Sequence, residues 1–299
     1  MVHAKLTRRF TPSARVDEIS SGHFRLTIPA GKADSYRLAQ LDDYSKLPRK
    51  NFPYHYLTIS LSARTSSDSI AGTWGFGLWN DPFGLSLGFG GSPFRVPALP
   101  NAVWFFGASE ENYLSFRASE KTSGLRERNE METKRASTTR PTNGGSAQRE
   151  IPANGFLAQT FRSPRFHPLL ILAGLALPFS RKMTRRVLSK VVAEDGIQLW
   201  SQGARSRTAA SKLAESKGVD PSHWHRYRLE WSPKRVSFEV DEVRVFESPV
   251  RPNPPLGLVV WIDNQYAAFT PEGKIGFGVL SNPEPAWLEV KDIELTYNQ

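Results

Sequence analysis

Two short stretches combine carboxylates with the residue types that handle sugars. Asp81 follows Trp79-Asn80, and Asp263 precedes Asn264-Gln265-Tyr266. Aromatic rings stack on apolar faces, and planar amides donate to and accept from hydroxyls. Facing each other across a groove, the two aspartates would form an acid and base pair. The plainer reading is that Asn80-Asp81-Pro82 and Asp263-Asn264 are turns in which the acid accepts backbone N–H bonds. His223 and His225 flank Trp224 and share one face of a strand, a spacing that suits a metal, but no third ligand accompanies them, so a structural role is expected. There is no phosphate-cradling glycine loop, dinucleotide fingerprint or Gly-x-Ser-x-Gly elbow. With no cysteine, disulfides, thiolate nucleophiles and cysteine metal sites are excluded.

The elements that would position these residues read as strands. Trp224-His-Arg-Tyr-Arg-Leu-Glu-Trp-Ser-Pro233 places Tyr227, Leu229 and Trp231 on one face, and after the turn Val236, Phe238 and Val240 repeat the pattern. Phe24–Ile28 and Tyr56–Ala63 alternate in the same way. Gly72–Trp79 has glycines at alternating positions, which lets a backbone, a side chain or a ligand approach closely. Leu256–Tyr266 is a buried strand with a polar end, and Trp287–Tyr297 is a closing strand.

The wording of residues 224–246 resembles the C-terminal segment of family 16 glycoside hydrolases and their relatives in the concanavalin A-like lectin/glucanase superfamily. In that family Trp-His-x-Tyr-x-x-Glu-Trp-(Ser/Thr)-Pro leads into a strand ending Val-Asp-Gly. Here Glu242 stands in place of the glycine, which leaves the type of the turn after Asp241 open. The resemblance touches most of residues 20–116 and 155–299. It implies an all-β, concanavalin A-like jelly-roll β-sandwich, formed as one domain over residues 1–299. It also implies a sugar-holding groove, to which Trp74, Trp79, Asn80, Trp104, Trp261, Asn264, Gln265 and Tyr266 are assigned as candidates. Asp292 matches an acidic position of the family's closing strand and is the candidate for a calcium site, calcium being the only cofactor suggested. The family's catalytic strand carries Glu-x-Asp-x-x-Glu. The segment that should hold it, Asn101–Ser109, has no carboxylate before Glu110 and Glu111. A non-catalytic, carbohydrate-binding protein is therefore expected, against two alternatives: a hydrolase with relocated carboxylates at Asp81 and Asp263, and a membrane-surface structural protein.

Two stretches interrupt the strand pattern. Residues 118–150 hold few large apolar side chains and many Glu, Arg, Ser and Thr, so they are expected to form a disordered loop. Residues 164–217 are expected to form a basic helical insertion, with an apolar piece at 168–178 and an amphipathic piece at 181–192. Residues 151–217 carry 11 Lys and Arg against 3 Asp and Glu, so most of the net charge of +10 lies there rather than on the strands. That distribution argues against nucleic acid as a partner. The insertion reads either as a cap on the sandwich or as an anchor on an anionic membrane surface, with the cap favoured. No apolar run reaches the length of a membrane span, and Met1–Phe10 lacks the apolar stretch of a signal peptide. A cytoplasmic location, with peripheral membrane attachment as the variant, is expected.

Overall fold

The computed structural model describes residues 5–82, 98–113, 115, 154–164, 191–201, 218–269 and 275–297. Two antiparallel seven-stranded sheets face each other as a jelly-roll sandwich. The first runs in the order β1 (Thr7–Phe10), β4 (Leu38–Asp42), β13 (Gly257–Asp263), β6 (Thr73–Trp79), β7 (Ala102–Ala108), β8 (Gly155–Arg162), β9 (Ala193–Trp200). The second runs β12 (Val243–Ser248), β11 (Val236–Val240), β10 (His225–Trp231), β5 (Leu57–Thr65), β16 (Ala286–Tyr297), β3 (His23–Ile28), β2 (Arg15–Ser20). A small hairpin of β14 (Gln265–Phe269) and β15 (Ile275–Val279) stands beside them.

The alternation read from the sequence is the alternation that packs. Tyr227, Leu229 and Trp231 on β10 meet Val240, Phe238 and Val236 on β11 and Leu61, Ile59 and Leu57 on β5, all pointing into the space between the sheets. Trp74, Phe76 and Leu78 on β6, Val103 and Phe105 on β7, and Leu258, Val260 and Ile262 on β13 fill that space from the other side. The two sheets differ in their outer faces. That of the second sheet is charged and exposed, with Arg228, Glu239 and Arg244 forming a ladder. That of the first sheet is buried: β4, β7 and β13 have no exposed residue along their length. Near-continuous apolar runs such as Leu258–Ile262 fit a strand covered on both sides.

Two sequence expectations need correction or limits. Ala193–Trp200, inside the stretch expected to be helical, is the edge strand β9, paired with β8 along its length. Its low strand propensity, with Glu194, Asp195 and Gly196 in a row, hid it. Glu194 is buried there and accepts a hydrogen bond from Ser115 Oγ at 2.8 Å. Residues 118–150, and residues 165–190 and 202–217 of the expected helical insertion, lie outside the described residues. The turn after Asp241 is a two-residue connection between Val240 and Val243. Asp241 and Glu242 both have positive φ, 49° and 67°, as the tight turn joining β11 to β12 requires. Asp241 is held there by accepting from the Arg226 N–H at 2.9 Å and by a 2.6 Å contact with His225 Nδ1, which gives His225 the structural role expected of it.

Glu242 has no glycine's freedom in the left-handed region, a cost of about 1 kcal/mol. Glu242→Gly should therefore raise stability by on the order of 1 kcal/mol, read as a higher urea midpoint at unchanged m-value.

Candidate functional site

The expected groove corresponds to the outer face of the first sheet, where β13, β6 and β7 run side by side. Pairing sets Trp261 opposite Gly75 and Gly75 opposite Phe106; one step along, Val259 lies opposite Gly77 and Gly77 opposite Trp104. The glycines are required by these neighbours. A Cβ on Gly75 would lie 2.5 Å from the Phe105 carbonyl oxygen and 2.8 Å from the Trp261 ring, and one on Gly77 would lie 2.6 Å from Trp104 Cα. The close approach that the alternating glycines allow is thus taken by the protein's own backbone and indoles. Trp79 and Trp261 are parallel with centroids 6.0 Å apart, and Trp104 lies 5.5 Å from Trp261 and 5.4 Å from Phe106. Trp104 and Trp261 are each only 6 % exposed, so the face is a second apolar core and not an open cleft. Val192 from the expected cap packs into it, beside Tyr44, Phe52 and Phe161.

Polar groups on this face bond to one another. The Trp261 indole donates to Thr73 Oγ1 at 3.0 Å, and Thr73 donates to Asp263 Oδ1 at 2.7 Å. The Tyr36 hydroxyl donates to the other Asp263 oxygen at 3.2 Å, and the Gln265 N–H reaches Oδ1 at 3.2 Å. Burial nevertheless outweighs these bonds and pushes the Asp263 carboxyl from 3.8 up to about 6. Gln40 donates to Asp42 at 2.8 Å and to the Tyr44 hydroxyl at 3.2 Å, and Trp104 Nε1 points at Gln159 Oε1 at 3.5 Å. Sequence reading missed Tyr36, Gln40, Thr73 and Gln159. Only Thr73 had a visible signal there, as the polar start of a strand whose next same-face residues are Gly75 and Gly77.

The remaining candidates sit at structural corners. Asn264 is fully buried; its Oδ1 accepts from the Arg37 N–H at 2.8 Å while its Nδ2 donates to the Ser35 and Leu280 carbonyls. Asn80 ties Leu99 to Asn101, donating to one carbonyl and accepting from the other's N–H, both at 2.9 Å. Asp81 is 1 % exposed with φ 47°, and its carbonyl accepts from the Arg49 guanidinium. Gln265 and Tyr266 belong to the β14–β15 hairpin, with the Tyr266 ring against Gly278. Trp74 does not belong to the outer face: it points between the sheets and stacks on Phe156 at 4.9 Å. Asp292 lies exposed at the irregularity in β16 with φ 55°, and among the described residues no group of three or more His, Asp or Glu forms a metal site.

Register separates the two candidate acids. Asp263 is opposite Thr73, whereas Asp81 lies beyond Trp79 at the far end of the same strand. The six steps from Thr73 to Trp79, at about 3.3 Å each, already span about 20 Å, and Asp81 lies two residues further on. Retaining glycosidases need about 5 Å and inverting ones about 6.5–9.5 Å. The outward residues of β7, namely Ala102, Trp104, Phe106 and Ala108, include no acid.

No family model matches the chain, and no curated protein matches it. Among solved structures it is similar to the Bacillus licheniformis beta-glucanase, at 8% identity over 95% of this chain and 82% of that one, with a TM-score of 0.40. A legume lectin-like domain from Entamoeba histolytica matches at 8% identity over 98% and 90%, with a TM-score of 0.41. A family 16 endo-glucanase from Bacteroides ovatus matches at 9% identity over 97% and 94%, with a TM-score of 0.40. At such identities no residue role transfers.

Two outcomes follow from this packing. Gly75→Ala should destabilise the fold by about 3 kcal/mol or more, since its Cβ meets backbone that cannot give way; thermal melts would read the loss. The second outcome concerns pH. Asp43, like Asp263, is raised by burial to about 6. Between pH 4 and 6 the unfolded chain releases these protons while the folded one keeps them, so folding stability declines as pH rises through that window. Each group withdraws about 3 kcal/mol. Asp263→Asn should remove about half of this decline in urea titrations from pH 4 to 7.

Proposed function

We propose that the protein is a non-catalytic binding protein on a jelly-roll sandwich, with carbohydrate as its ligand class. The observation that carries the first half is the outward face of β7, where Ala102, Trp104, Phe106 and Ala108 stand in place of acids and are buried. A hydrolase with relocated carboxylates loses its support from the separation of Asp81 and Asp263. Carbohydrate as ligand is supported by the family-like wording of residues 224–246, which forms β10, β11, most of β12 and the turns between them. The likeness to glucanases and a lectin-like domain agrees with this reading without carrying it. The membrane-surface alternative rests on residues 168–192, of which only Val191 and Val192 are described, both buried.

The purified protein should release no reducing ends from β-1,3 or β-1,4 glucans, and Asp81→Asn and Asp263→Asn should leave that blank unchanged. Turnover abolished by either substitution would make the protein an enzyme and end the proposal.

A further inference from the structure

The second sheet is the one with an accessible outer face, and its charges are paired along most of its width. Over β5, β16 and β3 the pattern changes. Register lines up Arg25, Glu289 and Arg64 across these three strands. Glu289, only 1 % exposed, accepts from Arg25 Nε and from Arg64 Nε, each at 2.7 Å. Burial alone would raise this carboxyl, but the two guanidinium groups overcome that and hold it below its ordinary range. One carboxylate thus fixes the planes of two arginines, and both lie over indoles. Arg64 sits 4.9 Å from the Trp224 ring and 5.3 Å from the Trp287 ring, and Arg25 sits 4.9 Å from Trp287. Lys291 Nζ lies 4.7 Å from the Trp224 ring, and His23 meets the edge of that ring at 5.6 Å.

This cluster holds more cation than its single acid balances. Lys291 has no carboxylate partner among the described residues, and Arg64 engages Glu289 only through Nε, which leaves both terminal nitrogens as donors. The nearest acid on β2, Asp17, is committed to Arg15 at 2.9 Å. Neither indole N–H of Trp224 or Trp287 has a partner among the described residues, and both rings are half-buried rather than covered. Asp17 opposite Arg25 and Asp292 beside Lys291 border the cluster without contacting its cations, so fixed donors, positive charge and flat apolar surface converge on one spot. A neutral sugar would leave the charge unanswered. A bare phosphate would leave the indoles unused.

We infer that this patch, centred on Arg64 between Trp224 and Trp287, is a binding site for an acidic saccharide. The sugar ring rests against the exposed indole surface, and its carboxylate or sulfate takes the free donors of Arg64 and Lys291. The inference rests on the carbohydrate reading above and locates it on the sheet opposite the expected groove.

The test titrates the full chain with tetragalacturonate, a chondroitin sulfate tetrasaccharide and neutral cellotetraose, followed by calorimetry and tryptophan fluorescence. At least one acidic probe should bind about tenfold more tightly than cellotetraose, with binding that weakens as salt rises. The two acidic probes distinguish carboxylate from sulfate as the recognised group. Trp224→Ala and Lys291→Gln should each weaken binding about tenfold, while Arg244→Gln, at the other end of the sheet, should leave it within about twofold. Melting temperatures establish folding, and Lys291→Gln serves if Trp224→Ala does not fold. Loss on Arg244→Gln equal to that on Lys291→Gln would reduce the binding to diffuse charge and overturn the site. Equal or tighter binding of cellotetraose overturns the acidic ligand but keeps the carbohydrate reading, and no binding of any of the three overturns both. Binding to phosphatidylserine vesicles but to no saccharide, lost in the same variants, replaces the ligand with an anionic membrane.

Discussion

The first sheet must be covered on both faces, and most of the molecule follows from how that is achieved. A strand with apolar side chains on both faces cannot face water on either, so β13, β6 and β7 need a partner layer above as well as below. Below, the second sheet supplies it through Tyr227, Leu229 and Phe238. Above, Trp79, Trp104 and Trp261 lie across neighbouring strands at 5.5 to 6.0 Å, in a layer completed by Tyr44, Phe52 and Val192. Indoles of that size fit only where the adjacent strand has no side chain, which explains the glycines at 75 and 77.

The same constraint fixes the role of the polar residues. A hydroxyl, amide or carboxylate inside such a layer must find a protein partner or lose the water it had. Thr73 is placed to receive the Trp261 indole and pass the bond to Asp263, and Tyr36 closes the other side of the carboxylate. Asn264 and Asn80 do the corresponding work at strand ends. Aromatic and amide residues in this arrangement have the composition of a sugar site, but their hydrogen-bonding capacity is spent on the fold.

That explains which parts of the sequence were legible. Strands with one buried face advertise themselves by period two, as at Tyr227, Leu229 and Trp231, and these were placed correctly together with their turn. The sandwich class came from the resemblance of residues 224–246 to family 16 glycoside hydrolases, not from the period alone. Which face a residue occupies was harder: Trp74 and Trp79 lie in one strand, yet their odd separation sends one inward and the other outward. Distance along the chain also misleads, since Asp81 and Asp263 flank similar aromatic stretches but end opposite edges of one strand pair. The edge strand β9 carries neighbouring acids and a glycine, so its identity comes from pairing with β8 and not from its own propensity.

The two sheets therefore divide their tasks by exposure. The first has exchanged accessible surface for a second core, and any ligand there would have to displace packed indoles from positions enforced by glycine backbone. The second is buried on one side only, so its outward residues are free to vary in chemistry without cost to the core. Most of them form opposite-charge ladders that contribute little energy and keep the face hydrated. Where Trp224 and Trp287 interrupt those ladders, large apolar rings stand at positions that a solvated sheet would fill with charge. Arg25, Arg64 and Lys291 cover them only in part, through contacts worth about 0.5 to 1 kcal/mol each when exposed. Such contacts are weak enough for a ligand to displace and strong enough to keep the site arranged before it arrives.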